Sequence, residues 1–375
     1  MAVPLGFNRW HTNWKGSDVG IDKRTNPSGT PDMKKIINLL LTFCLLGSTV
    51  YAQNSSTPHL SKPLSSETVS NIFARTSGGN IQVSGVSARE ARIEVHIASS
   101  NNKTLSQEQI NTRLKDDYTL TIEVTDHKLT ATAEPKRTFI NGRQSLSISF
   151  KIYVPAAVST DLSTSGGSIE LRNLHGTQDF HTSGGGISLS KITGKVRGKT
   201  SGGGITVEDS KDDITLSTSG GNIQASNCSG TLRLNTSGGQ IELERLDGDI
   251  EAETSGGPIK GEGIRGKLFA RTSGGNIKLH NMACGIDVST SGGSIEADIV
   301  EVVAAVTVNN SGGNVNLKMP ANKGLNLRLR GENISAIDLT NFTGDRDDNS
   351  INGKVNGGGI PVSVSTSGNI SFSMK

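Results

Sequence analysis

The chain has 375 residues, including 46 glycines, and only 4% of its residues are aromatic. Glycine makes up about 12% of the chain against a usual 7% or so, and each internal glycine weakens a helix by about 1 kcal/mol. A helical protein is therefore disfavoured. The charged fraction of 19% is too low for a highly charged disordered chain, and the glycines lack the three-residue period of collagen.

Residues 1–52 read as sequence that precedes the mature fold. Met33-Lys34-Lys35 begins a positively charged segment, the apolar run 36–46 has the length of a signal-peptide core, and Ala52 offers a small residue for cleavage. The run is too short to span a bilayer. We interpret residues 33–52 as a signal peptide and residues 1–32 as an upstream extension from a start codon assigned too early.

The formal net charge of +3 belongs to this leader. Residues 1–52 hold six Lys or Arg and three Asp, which leaves 32 charged residues of each sign in the mature chain. A neutral chain lacks the basic surface typical of nucleic-acid-binding proteins, so we expect no nucleic-acid partner. We expect an exported protein without a transmembrane segment after cleavage, located in the periplasm, on the outer surface or outside the cell.

An 18-residue repeat organises most of the remaining chain. The tetrapeptide Thr-Ser-Gly-Gly recurs with its serines at a constant spacing of 18 residues, at Ser165, Ser183, Ser201, Ser219, Ser237, Ser255, Ser273 and Ser291. A looser copy follows at Ser311, and an early copy stands at Ser77. A fixed period of this length is the mark of a solenoid.

Positions within the repeat are numbered here from the serine as position 0. Position 4 is nearly always isoleucine, positions 6, 9, 13 and 15 are mostly apolar, and positions 5, 7, 12, 14 and 16 are mostly polar. Apolar residues two apart between glycine-rich turns predict short strands with one face inward. The threonine at position 17 shares the inward parity, so we expect a threonine ladder at a corner. The paired glycines fit turns that need positive φ or close approach of successive coils.

The predicted fold is all-β: a single-stranded parallel β-solenoid, or β-helix, with coils of about 18 residues and a β-rich N-terminal cap. We place a first coil and the cap region in residues 53–160, the regular solenoid in 161–318, and degenerate C-terminal coils or a cap in 319–375. Longer alternating strands are expected at 91–97, 118–124, 128–133 and 145–154. A short helix is predicted over 104–118, with Thr104 and Gln107 as its capping box.

The Thr-Ser-Gly-Gly-x-Ile repeats, following a signal peptide and the strand that ends in Ile152-Tyr-Val-Pro155, resemble the bacterial putative-adhesin family of β-strand-repeat proteins. That family is a domain of unknown function frequent in Bacteroidetes. The resemblance covers about residues 70–375. It implies a secreted, cell-surface protein with a β-repeat fold and a role in adhesion, surface scaffolding or envelope binding. It supplies no catalytic residues, and we expect no cofactor and no metal.

Two cysteines, Cys228 and Cys284, remain after cleavage. They lie three coils apart, about 14 Å in a stacked sheet, which exceeds the roughly 7 Å Cα separation that a disulfide allows. We predict that both are buried apolar side chains rather than a bridge.

The repeat register also predicts one outward patch of charge. Positions 5 and 7 on neighbouring rungs carry Glu242, Glu244, Lys260, Glu262, Lys278 and His280. These side chains could bind an unknown envelope glycan or surface protein, and cross-rung Glu–Lys pairs that only balance an exposed face are the alternative. The rival hypothesis for function is a polysaccharide-acting lyase or hydrolase, in which carboxylates on adjacent rungs act as acid and base. We favour the non-catalytic hypothesis.

Overall fold

The described chain is all-β and is built on one long, mostly parallel sheet of 28 strands. The structure, a computed structural model, describes residues 57–64, 68–100, 105–137, 145–337 and 339–375. The predicted upstream extension and signal peptide therefore lie outside the described residues. Among those that are described, no helix combines the length and apolar character needed to cross a membrane.

The N-terminal elements surround the early copy of the repeat at Ser77. They are β1 (Leu60–Pro63), β2 (Asn71–Thr76), β3 (Ile81–Gly85), β4 (Arg92–Ser99), α1 (Gln107–Asp117), β5 (Tyr118–Thr125), β6 (Lys128–Pro135) and β7 (Leu146–Val154), with a single 3₁₀ turn at Ala88–Glu90. β6 and β7 pair in parallel with β2 and β3, whereas β1, β4 and β5 add antiparallel pairs. The four longer strands predicted from alternation are confirmed.

Helix α1 is confirmed, but its predicted capping box is wrong. Ser106 caps the helix: its hydroxyl accepts a hydrogen bond from the Gln109 N–H at 3.2 Å, and its own N–H donates to Gln109 Oε1 at 3.0 Å. Gln107 Nε2 instead lies 2.8 Å from His59 Nδ1. Thr104 lies outside the described residues. The same serine-x-x-glutamine logic applies two residues later than predicted.

The regular repeats each contribute a strand from position 4 and a strand that ends at position 17. These strands are β8 (Ser159–Thr164), β9 (Ile169–Thr182), β10 (Ile187–Lys199), β11 (Ile205–Glu208), β12 (Lys211–Thr218), β13 (Ile223–Ser226), β14 (Ser229–Thr236), β15 (Ile241–Glu244), β16 (Asp247–Thr254), β17 (Ile259–Glu262), β18 (Arg265–Thr272), β19 (Ile277–Thr290), β20 (Ile295–Ile299), β21 (Val306–Asn310) and β22 (Val315–Met319). Residues 18 apart are paired in parallel, as Ile223 is with Ile241 and Leu232 with Ile250. Identical repeat positions therefore lie in columns about 4.8 Å apart.

The C-terminal strands are β23 (Leu325–Arg330), β24 (Ile334–Ile337), β25 (Phe342–Arg346), β26 (Ser350–Val355), β27 (Ile360–Thr366) and β28 (Ile370–Met374). β27 and β28 pair in parallel with β21 and β22, so the degenerate Thr366-Ser-Gly copy continues the columns directly after the copy at Ser311. β23 pairs in parallel with β27, and the antiparallel strands β25 and β26 follow at that edge.

The inward positions of each repeat form a continuous apolar core. In the repeat that begins at Ser237, the side chains at positions 4, 6, 9, 13 and 15 are all at most 2% exposed, and they are Ile241, Leu243, Leu246, Ile250 and Ala252. The intervening polar positions point outward, as the alternation predicts. A single repeat cannot enclose this core alone, so stacking on its neighbours is a condition of folding.

The predicted threonine ladder is confirmed, and it joins successive repeats. Thr254 is 6% exposed; its hydroxyl donates to the Gly239 carbonyl oxygen at 2.9 Å and accepts from the Gly257 N–H at 3.3 Å. The position-17 threonines of the neighbouring repeats repeat these bonds at 2.7–2.9 Å and 3.2–3.3 Å. Each buried hydroxyl thus satisfies one carbonyl of the preceding repeat and one amide of its own.

The second glycine of Thr-Ser-Gly-Gly is required by close approach and not by a positive φ. A Cβ at Gly239 would lie 1.9 Å from the Gly221 carbonyl oxygen, whereas a Cβ at Gly238 would have 3.7 Å to the Ser219 oxygen. Neither of these glycines has a positive φ. The alternative that the sequence left open is therefore settled in favour of close backbone contact between repeats.

A second corner lies at position 8, where the backbone is left-handed. Asn173, Asp209, Asn227, Arg245 and Asn281 have φ between 51° and 56° there. Asparagine and aspartate tolerate this conformation better than other non-glycine residues. The repeated Asn or Asp at position 8 was the signal for this corner, and the sequence analysis did not use it.

Both cysteines are buried, as predicted, and neither forms a disulfide. Cys228 is 1% exposed and its Sγ donates to the Ser226 carbonyl oxygen at 3.2 Å, while Cys284 is fully buried. Burial disfavours the thiolate, which raises the pKa of Cys228 to about 11 and that of Cys284 to about 12.

We predict that Gly239→Ala destabilises the protein far more than Gly238→Ala. The methyl group at residue 239 must displace the backbone of the preceding repeat, which costs at least about 2–3 kcal/mol. The methyl group at residue 238 meets only ordinary contacts, so its cost should stay below about 1 kcal/mol. Thermal unfolding of the two variants beside the parent measures the difference, and equal melting temperatures would contradict the close-approach account.

We also predict that neither cysteine reacts with iodoacetamide at pH 8 in the native protein. A pKa of about 11 leaves roughly one Cys228 thiol in a thousand ionised at that pH, and Cys284 fewer still. Reactivity should rise only as the pH approaches these pKa values. Unfolding in guanidinium provides the control, because both thiols then become accessible. Rapid labelling of either thiol without denaturant would show that the burial is wrong.

Candidate functional site

The predicted outward patch lies on the short strands β15, β17 and β19. At position 5, Glu242 is paired in register with Lys260, which is paired with Lys278. At position 7, Glu244 is followed by Glu262 and then by His280. The structure therefore places all six residues together in two adjacent columns, with Glu244 half-buried and the other five exposed.

The patch side chains make almost no polar contacts within the chain. Glu244 contacts the guanidinium of its sequence neighbour Arg245. Among the described residues, no ion pair joins Glu242 to Lys260 or Glu262 to His280. The cross-rung Glu–Lys pairs considered from the sequence as a purely balancing arrangement are therefore not formed.

The patch instead sets like charges beside each other. Lys260 and Lys278 are register partners, and so are Glu244 and Glu262. Like charges directly opposite on neighbouring strands are destabilising, by up to about 1 kcal/mol per pair. The arrangement offers two adjacent ammonium groups for an anionic or hydroxyl-rich partner, and two carboxylates for a cationic or hydroxyl-rich one.

The repeats expose a second and broader face, formed by the outward positions 12, 14 and 16 of the longer strands. It carries an open groove of about 510 Å³ that runs across β14, β16, β18 and β19. Phe269 lies within the groove between its register partners Glu251 and Asp287. The Arg271 guanidinium carbon lies 4.8 Å from the centroid of the Phe269 ring, a cation–π contact.

One wall of the groove comes from the segment between β20 and β21, which passes over the outer face of β19. A Cβ at Gly285 would lie 2.8 Å from the Ala304 Cβ, so glycine at this position allows the segment to approach. Val300 and Val303 of the same segment are 44% and 50% exposed. The sequence analysis identified Phe269 as outward but missed the groove. The usable signal was the spacing of 20 residues between Ser291 and Ser311, which leaves two extra residues for this segment.

Comparison with known proteins gives two similar solved structures, both of low identity. A Bacteroides fragilis protein described as a putative adhesin is 14% identical, with 69% of this chain and 95% of that chain covered at a TM-score of 0.30. A putative cell adhesion protein from Clostridium sporogenes is 11% identical, with 84% of this chain and 98% of that chain covered at a TM-score of 0.18. No protein-family model matches the chain, and no curated protein matches it. The two solved structures that the chain resembles are thus adhesin-like by description, at an identity too low to transfer a function.

Proposed function

We propose that this protein is a single-stranded parallel β-solenoid, with coils of about 18 residues and a β-rich N-terminal cap, that works as a non-catalytic binding protein. Register pairing of residues 18 apart supports the winding. The role that fits such a scaffold is adhesion, or binding and scaffolding at the cell envelope or surface. The signal-peptide sequence supports export to the periplasm, the outer surface or the medium.

The observation that carries the binding role is the pair of like-charge contacts in the patch, Glu244 beside Glu262 and Lys260 beside Lys278. A stacked sheet gains nothing from either contact. A local arrangement that disfavours the folded chain and finds no compensation inside it points to a partner outside the chain. The partner we propose is an envelope glycan or a surface protein that presents groups complementary to both columns.

We predict that the purified protein binds components of an envelope glycan and surface-protein array, and that Lys260→Glu with Lys278→Glu removes this binding. Both lysines are exposed, so the double variant should keep the parent melting temperature to within a few degrees. Two charge reversals at a binding surface should weaken the affinity by at least about tenfold. Binding is measured by biolayer interferometry on each array component that binds the parent protein.

The matched control is Arg328→Glu with Arg330→Glu on β23, which makes the same change of net charge at two exposed residues far along the sheet. The control should bind as the parent does. Equal loss of binding in both variants would assign the effect to net charge, and unchanged binding in the patch variant would exclude the patch as the site.

A polysaccharide lyase or hydrolase is the alternative, favoured by one observation: Glu244 and Glu262 are carboxylates on adjacent strands. About 5 Å between carboxyl groups is the separation that retaining glycosidases use. The binding proposal predicts no release of reducing ends or unsaturated products from polysaccharides incubated with the protein. Release that is abolished by Glu244→Gln or Glu262→Gln would establish the enzyme instead, and release that survives both changes would place catalysis elsewhere.

A further inference from the structure

The broader outer face, at positions 12, 14 and 16, groups its charges by strand. β10 presents three exposed cations, which we name the basic row: Lys195, Arg197 and Lys199. Three repeats further along, β16 presents three outward carboxylates at the same three positions, which we name the acidic row: Asp249, Glu251 and Glu253. Consecutive side chains of a row are about 6.6 Å apart along the strand.

The basic row is not neutralised by its own chain. Asp213 is the register partner of Lys195, but it forms its ion pair with Arg233, at 3.4 Å. Asp179 is the register partner of Arg197 and forms no ion pair with it. Within the described part of the chain, the row is therefore three cations that repel one another and that no carboxylate offsets.

The acidic row is only partly neutralised. Glu251 lies 3.5 Å from the Arg233 guanidinium. Glu253 has Arg271 as its register partner, but that guanidinium lies over the Phe269 ring and donates to Ser289 Oγ at 3.1 Å. Asp249 forms no ion pair with any described residue. Each row thus presents charge that a surface of the opposite sign would complement.

We propose that this broader face binds a second copy of the same chain, so that the protein is a two-fold symmetric dimer. The strands β10, β12, β14 and β16 are consecutive neighbours in the sheet. A two-fold axis parallel to the strands, midway between β12 and β14, lays the basic row of each copy on the acidic row of the other. Rotation about this axis preserves position along the strand, so every charge meets its complement: Lys195 with Asp249, Arg197 with Glu251, and Lys199 with Glu253.

Symmetry doubles these contacts, because a two-fold interface uses each pair twice. The two central strands face each other without a like-charge contact, since Asp213 meets Thr231, Thr215 meets Arg233, and Ser217 meets Asn235. A two-fold axis along the direction of strand stacking gives the opposite result. It sets each basic row against itself, with Arg197 on Arg197, and is therefore excluded by repulsion.

The face is large enough for a specific dimer. The four strands, with eight residues each at 3.3 Å and neighbours 4.8 Å apart, cover about 500 Å² per copy. Adding the next strand on each side, β9 and β18, raises this to about 750 Å² per copy, close to the standard interface size of about 800 Å². The added strands bring Phe269 into the contact, and aromatic residues are enriched in interfaces. The interface is separate from the patch on the narrower face and does not depend on the proposed ligand.

The experiment uses four forms of the purified protein in sedimentation velocity at about 50 mM salt. They are the parent, the reversed basic row (K195E, R197E, K199E), the reversed acidic row (D249K, E251K, E253K), and the protein with both rows reversed. We expect the parent to be a dimer and each singly reversed form to be a monomer. The form with both rows reversed should be a dimer again, because its rows are still complementary.

Mixing gives a second readout. An equimolar mixture of the two singly reversed forms should produce heterodimers, since each form supplies the charge that the other lacks. Raising the salt to about 500 mM should weaken parent association at least tenfold, because the contacts are exposed charges. R328E with R330E serves as the control and should dimerise as the parent does, and the melting temperature of each form reports its folding.

Three results would overturn the proposal. A parent protein that is monomeric at about 100 µM and 50 mM salt would show that the face does not bind a second copy. A dimer that survives reversal of the basic row would show that the copies meet in another register or on another face. Failure of the doubly reversed, folded form to dimerise would show that the pairing of the two rows is not what holds the copies together.

Discussion

The structure depends on one corner, at which a buried threonine hydroxyl bridges two repeats. The hydroxyl donates to a glycine carbonyl of the preceding repeat and accepts from a glycine amide of its own, as Thr254 does with Gly239 and Gly257. The glycine must lack a side chain because the carbonyl of the repeat before it occupies the space. At the last regular corner Asn310 replaces threonine, and its amide group supplies the same donor and acceptor to Gly293 and Gly313. The motif therefore encodes stacking, and its repetition carries no information about a ligand.

Function, on this account, lies where the repeat departs from what stacking requires. The corners and inward positions are used up by hydrogen bonds and core packing, so only positions 5, 7, 12, 14 and 16 are free to vary. On the narrower face these positions hold like charges side by side, Glu244 with Glu262 and Lys260 with Lys278. On the broader face they hold the basic and acidic rows. The rigid sheet fixes the spacing of both sets, which lets a flat surface recognise a partner by its charge pattern.

The repeat positions of the core, the outward parity of the patch and the threonine corner could all be predicted from sequence, because each follows from a period of 18 and an alternation of two. Three features could not be derived from the period alone. The capping of α1 by Ser106 depends on competition among nearby polar residues. The left-handed corner at position 8 is occupied by several residue types, including Lys191 and Arg245. The groove beside Phe269 depends on the path of an irregular segment over Gly285, which leaves no periodic trace.

The most direct measurement of the central claim is hydrogen exchange at single-residue resolution in the native protein. The amides of the second glycines, such as Gly239 and Gly257, donate to buried threonine hydroxyls. They should therefore exchange as slowly as amides in the centre of the sheet, such as that of Leu243. If these glycine amides exchange as fast as that of Asp348, in the exposed turn between β25 and β26, the threonine corner does not hold the repeats together.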